Sequence, residues 1–139
     1  MAEEKRPSIL VVDDEAAVRE LLKLHLAGAG YDVKVADDAI VAGRAVMATP
    51  PDLMIVDVAL PYLDGVDFVA TLKADTAMPQ AAVIFMSGNA EVLDRARALG
   101  APCLKKPFSV EELLGAVRQE LTGRPPTRRG RLDYLSAGT

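Results

Sequence analysis

The stretch Ile9-Leu10-Val11-Val12-Asp13-Asp14-Glu15 sets four apolar residues directly against three acids. A continuous apolar run of this length predicts a short strand covered on both faces, the kind found in parallel sheets. A second run, Leu53-Met54-Ile55-Val56, ends in the same way on Asp57. Three further runs follow the pattern: Tyr31–Ala36 with alternating Tyr31, Val33 and Val35, then Ala82–Met86, then Cys103–Leu104, which is too short to define a strand alone.

Helical spacing fills the gaps. Val18, Leu21, Leu22 and Leu26 share a face of a first helix. Ile40, Val41 and Ala45 suggest a second, and Val66, Val69 and Leu72 a third. Val92, Ala96 and Leu99 mark a fourth, stopped by Gly100. Val110, Leu113, Leu114, Val117 and Leu121 form the clearest stripe. Ser109 and Glu112 have capping-box spacing ahead of that stripe, with Phe108 and Leu113 placed as a hydrophobic staple. Asp37 and Asp38 read as caps for the second helix. Strand and helix alternating five times predict an α/β fold, a doubly wound five-stranded parallel sheet with helices on both faces and right-handed crossovers.

In such a sheet the carboxyl ends of the strands meet in one crevice, where ligands bind. For strand order 2-1-3-4-5, the flavodoxin-like arrangement, Asp13, Asp14 and Asp57 flank that crevice. Three carboxylates there repel one another unless a cation joins them, which points to a divalent metal. Ser87, after Val83-Ile84-Phe85-Met86, and Lys106, after Cys103-Leu104, end later strands at the same edge.

Composition narrows the class. The 139 residues suit one domain, half of them are hydrophobic, and aromatics are 4%, so aliphatic side chains must fill the core. A net charge of −4 gives no support for a broad nucleic-acid face, so no direct DNA binding is expected. One cysteine, Cys103, excludes an intramolecular disulfide and fits a reducing compartment. The charged segment 1–7 is an N-terminal extension without the apolar core of a signal peptide, and no run approaches a membrane span. A cytoplasmic location is therefore expected, with no membrane partner. Residues 8–123 form the expected domain. Segment 124–139, with Arg124, Arg128, Arg129 and Arg131, reads as a flexible basic tail. His25, the single histidine, reads as a surface residue of the first helix and excludes a multi-histidine metal site.

The pieces ILVVDDE, LMIVDVALPYLDG, VIFMSG and LKKPF, in that order, resemble the receiver domain of bacterial response regulators over roughly residues 8–122. The resemblance implies a two-component phosphoacceptor. It would take a phosphoryl group from a histidine kinase or a histidine phosphotransfer protein onto Asp57 and then switch the binding of an unknown output protein. It implies Mg²⁺, with Mn²⁺ as a substitute, held by Asp13, Asp14, Asp57 and the backbone carbonyl of Ala59. Lys106 would pair with one phosphoryl oxygen and Ser87 would donate to another. Lys105 competes for the ammonium role. Lys106 is favoured because it directly precedes Pro107, as in the family's K-P-F motif, and neighbours in an extended strand face opposite ways. Such a domain is not an enzyme beyond its own Mg-dependent phosphorylation and dephosphorylation, and it is a monomer or a phosphorylation-dependent dimer.

The chain departs from the family in two places. Cys103 stands where many receivers carry the Tyr or Phe of the usual switch, and the stretch from Ser87 to Lys106 is a few residues shorter than usual. Output is then expected to pass through the Ser87 loop and the fourth helix. Ala59 and Asn89 sit at positions that tune hydrolysis in this family. Three alternatives stand beside this reading. An aspartyl-phosphate phosphatase of similar fold would need a second acid where Ala59 stands. A phosphorelay intermediate would use the same site without being an output switch. A flavin module would need a phosphate-cradling loop where Asp13-Asp14-Glu15 would repel phosphate.

Overall fold

The computed structural model describes residues 5–75 and 81–122. Ten elements alternate: β1 (Ser8–Val12), α1 (Ala16–Gly28), β2 (Asp32–Ala36), α2 (Ala39–Ala48), β3 (Leu53–Asp57), α3 (Gly65–Ala74), β4 (Ala82–Ser87), α4 (Ala90–Ala98), β5 (Cys103–Lys105) and α5 (Val110–Leu121). The sheet order is β2-β1-β3-β4-β5, with every neighbouring pair parallel. The basic segment 124–139 lies outside the described residues.

Side chains alternate across the sheet and build two cores. Leu10, Val12, Met54, Val56, Val83 and Phe85 face α2, α3 and α4. Ile9, Val11, Leu53, Ile55, Ile84 and Met86 face α1 and α5. The three central strands are buried along nearly their whole length, which is why they read as unbroken apolar runs. β2 lies at the edge and alternates exposed with covered residues, as Tyr31, Val33 and Val35 foretell. β5 is only three residues long, and its partner β4, through Phe85↔Cys103 and Ser87↔Lys105, defines it.

The helices exist where spacing predicts them, but three faces differ in detail. In α2 the buried residues are Ala39, Ala42 and Val46, whereas Ile40 and Val41 are 54% and 40% exposed. Nearly every residue of α2 is apolar, so hydropathy cannot say which side faces the sheet. The alanines do so because small side chains let the helix approach closely. In α1 Leu22 and Leu26 are buried while Leu21 is exposed; in α4 Leu93 and Ala96 are buried while Leu99 is exposed at the cap.

Of the two acids read as caps for α2, Asp38 takes the position and Asp37 does not. Asp38 caps α2 by accepting the Val41 N–H (2.8 Å), and Gly100 takes φ +80° just past α4, a left-handed stop. Ser109 and Glu112 form both bonds of the capping box, and Phe108 and Leu113 lie in the same core. Ser109→Ala should therefore lower stability by about 1 kcal/mol, read as a lower urea midpoint at unchanged m-value.

Candidate functional site

Parallel register brings the strand ends level. Val12 lies beside Ala36 and Val56, Asp57 beside Met86, and Ser87 beside Lys105. Asp13, Asp57, Ser87 and Lys106 therefore end four neighbouring segments at one edge, although they are far apart in sequence.

Asp13 is fully buried and bonded at three atoms. Its Oδ1 accepts the Glu15 N–H (2.9 Å), its Oδ2 accepts from Lys106 Nζ (2.8 Å), and its backbone carbonyl accepts from Arg19 Nη1 (2.8 Å). Asp57, 5% exposed, accepts the Ala59 N–H at Oδ1 (2.9 Å) and Lys106 Nζ at Oδ2 (2.8 Å). Glu15 Oε1 lies 3.6 Å from the same ammonium. Asp14 is exposed at the mouth. Ser87 is buried, and its Oγ accepts the Asn89 N–H (3.0 Å). Ala59 is exposed just beyond Asp57. Lys105 is exposed, whereas the Lys106 side chain is only 20% exposed, so of the two candidate lysines it is Lys106 whose ammonium reaches the carboxylates.

Burial pushes the Asp57 carboxyl above its ordinary range, against the Lys106 and Ala59 hydrogen bonds; the Asp13 charge adds to the rise. Burial alone would pull the Lys106 ammonium down, but its bonds to Asp13 and Asp57 outweigh that and hold it well above its ordinary value. Lys106 is thus a permanent cation lodged between two buried carboxylates.

One carboxylate oxygen from each of Asp13, Asp14 and Asp57 can be chosen so that all lie within 4.8 Å of one another. An all-oxygen, hard donor set with one exposed member suits a small divalent ion that keeps waters, as Mg²⁺ does.

Three participants carry no sequence signal of their role. Glu15 and Arg19 flank Asp13, one at its carboxylate and the other at its carbonyl. Gly65, in an Asp64-Gly65 pair of the kind that marks turns, packs against the site: a Cβ there would overlap the Asp57 carbonyl oxygen. The Asp-Gly signature marks a turn but not the close approach. Cys103 is half-buried against the α2–α4 side core, its Sγ 3.8 Å from the Leu93 carbonyl. Burial raises its thiol above the usual value.

Residues 9–118 match the family model of the response regulator receiver domain. The chain is 32% identical over 137 residues to the DNA-binding dual master transcriptional regulator RpaA of Synechocystis sp., covering 95% of this chain and 57% of that protein. It is 34% identical over 119 residues to the DNA-binding response regulator MtrA of Mycolicibacterium paratuberculosis, covering 84% and 52%. The chemotaxis response regulator CheY4 of Vibrio cholerae superposes with a TM-score of 0.77 at 28% identity, covering 84% of this chain and 100% of that structure. The chain therefore spans about half the length of these curated relatives. The relatives overturn the expectation of no direct DNA binding, since both are named as DNA-binding regulators. A net charge of −4 describes only the 139 residues it counts and says nothing of how a regulator of this family meets DNA. Among the described residues no helix is long and apolar enough to cross a membrane.

Proposed function

The chain belongs to the response regulator receiver domain family of two-component signalling, and from that premise we propose that Asp57 is the phosphoacceptor, loaded by a histidine kinase or a histidine phosphotransfer protein. The observation that carries this reading is Lys106 Nζ, 2.8 Å from both Asp57 and Asp13, with Asp14 close enough to share an ion.

The geometry supports a role for each residue. An Asp57 carboxylate oxygen attacks the phosphorus of phosphohistidine. The new O–P bond forms as the P–N bond breaks, and the imidazole leaves with the electron pair. Two donors fix the orientation of Asp57, the Ala59 N–H at one oxygen and Lys106 at the other. Lys106 then shifts to a phosphoryl oxygen, drawn by its greater charge. The Ser87 oxygen already accepts from the Asn89 N–H, which leaves its hydroxyl proton to donate to a second phosphoryl oxygen. Mg²⁺, or Mn²⁺ in its place, would be held by Asp13, Asp14, Asp57 and the Ala59 carbonyl and would offset the charge gathered between carboxylates and phosphoryl group. The reaction is confined to this one residue, its loading and its hydrolysis. The relatives' names, both those of DNA-binding regulators, support control of DNA binding as the output of such a switch.

The test is incubation with acetyl phosphate, with Mg²⁺ or with EDTA, read by intact mass. One phosphoryl group per chain should appear only with the metal and map to Asp57, and Asp57→Asn should stay unmodified. An adduct that persists in Asp57→Asn, or forms equally in EDTA, would overturn the assignment.

A further inference from the structure

Phosphoacceptor chemistry leaves unused a cross-link between α4 and the first turn of α3. Arg95 Nη1 lies 2.9 Å from Asp64 Oδ2, and its Nη2 lies 3.7 Å from Asp67 Oδ1. The two Asp64 oxygens are divided between tasks: Oδ1 caps α3 by accepting the Asp67 N–H (2.8 Å), and Oδ2 meets α4. Partial burial pushes this carboxyl up, but the Asp67 N–H and the Arg95 guanidinium outweigh it and hold the group below its ordinary range.

The residue after Asp64 makes the cross-link consequential. The Gly65 N–H donates to the Val58 carbonyl (2.8 Å), and Gly65 lies so close to the Asp57 carbonyl that no Cβ fits. The Asp64-Gly65 segment therefore moves with the Asp57 backbone, and Arg95 fastens α4 to that segment. The start of α4 is tied to the same site by a second route. Asn89 caps α4 through the Glu91 and Val92 N–H groups, while its own N–H donates to Ser87 Oγ. Between these ties α4 buries only Leu93 and Ala96. α4 is also the shortest of the described helices, nine residues with Val92 partly covered beside these two, and a short helix is one whose position a single ion pair can bias.

We propose that Arg95 is a positioning residue for the Asp57 site: its pair with Asp64 and Asp67 holds α4 in the place it has beside unmodified Asp57. A phosphoryl group that engages Ser87 pulls on the start of α4 against that hold. The contribution of Arg95 to the hold is read from the ion pair, and the pull rests on the phosphoacceptor reading. Coupling is reciprocal, so loosening α4 favours loading of Asp57.

The experiment uses the full chain with Arg95→Gln, Asp64→Asn, the double variant and Arg95→Lys. Asparagine at 64 still caps α3. The first readout is amide hydrogen exchange of residues 90–98 without phosphodonor, and the second is the phosphorylated fraction at sub-saturating acetyl phosphate. Arg95→Gln and Asp64→Asn should each speed exchange roughly 2- to 5-fold, the range open to an exposed pair, and the double variant no further. Arg95→Lys should restore part of the protection, and about 1 M NaCl should bring the wild type to the level of the variants. The phosphorylated fraction should rise by a similar factor in Arg95→Gln. Unchanged exchange in Arg95→Gln, additive effects in the double variant, or faster exchange with a lower phosphorylated fraction would each overturn the proposal. A wild type that takes no phosphoryl group defeats the phosphoacceptor reading instead, and the exchange results still decide the role of Arg95.

Discussion

Lys106→Ala should unfold at a markedly lower urea concentration than the wild type in metal-free buffer at neutral pH, a loss of about 3 kcal/mol. Asp13 is fully buried and Asp57 5% exposed, and Lys106 Nζ is 2.8 Å from each. Removing the ammonium leaves two adjacent buried carboxylates with no cation between them, which costs far more than an exposed pair would. The figure sits at the low end for a buried pair because the Lys106 side chain is 20% exposed and water can reach its place. Lys105→Ala, at an exposed position, should stay within about 0.5 kcal/mol of the wild type.

Two dependences make this prediction specific. Asp57 already has a raised carboxyl pKa in the folded chain, and losing Lys106 removes one of the groups that lowers it. A raised carboxyl favours folding when protonated, and that contribution is lost as pH rises through the folded value. The deficit of Lys106→Ala should therefore narrow as pH falls toward the carboxylate range. Added Mg²⁺ should raise the midpoint of the variant by more than that of the wild type, because a cation binding the wild-type carboxylates must share them with Lys106. Equal midpoints in EDTA, or a smaller Mg²⁺ response in the variant, would show that Lys106 is not the counter-charge of the site.

Legibility in the sequence depended on whether one residue type could do the job alone. Asp13, Asp57 and Ser87 were legible because each ends an apolar run, and parallel strands bring such ends to one edge; Lys106 was separated from Lys105 by its place directly before Pro107. Burial on both faces made β1, β3 and β4 legible for the same reason. The face of α2 was not legible, because Ile40 and Val41 are as apolar as the residues that are buried. There the choice is made by fit, the small Ala39 and Ala42 against the sheet, and fit is a property of the partner surface. Arg95 was invisible for a related reason: its partner Asp64 lies 31 positions away, and in sequence it is one basic residue on a polar helix. The charge balance could not speak to DNA because it counts 139 residues, which span only about half the length of the relatives named as DNA-binding regulators.

Gly65 shows how far a turn signature falls short of a packing constraint, and Gly65→Ala should lower stability by about 2 kcal/mol. Two effects oppose each other. Alanine is the better helix former by up to about 1 kcal/mol, and Gly65 opens α3. Against this, a Cβ at 65 would overlap the Asp57 carbonyl oxygen and come within 2.9 Å of Val56 Cγ1 and 3.0 Å of the Asp57 carbonyl carbon. These neighbours are strand backbone and a fully buried side chain, so neither can rotate away. The crowding wins, and relief requires α3 to move out or the end of β3 to shift. Either movement displaces the carboxylate that must align with an incoming phosphorus. Loading from acetyl phosphate should therefore slow on the order of 10- to 100-fold, the range expected when a reacting group is misplaced by about 1 Å. Gly43→Ala is the matched control: it lies inside α2, and an added methyl there would meet nothing within 4 Å. Helix propensity then acts unopposed and should raise stability by about 0.5–1 kcal/mol with loading unchanged. A Gly65→Ala protein as stable and as readily phosphorylated as the wild type would mean that the Asp57 backbone yields to α3, and that Gly65 does not fix the position of the phosphoacceptor.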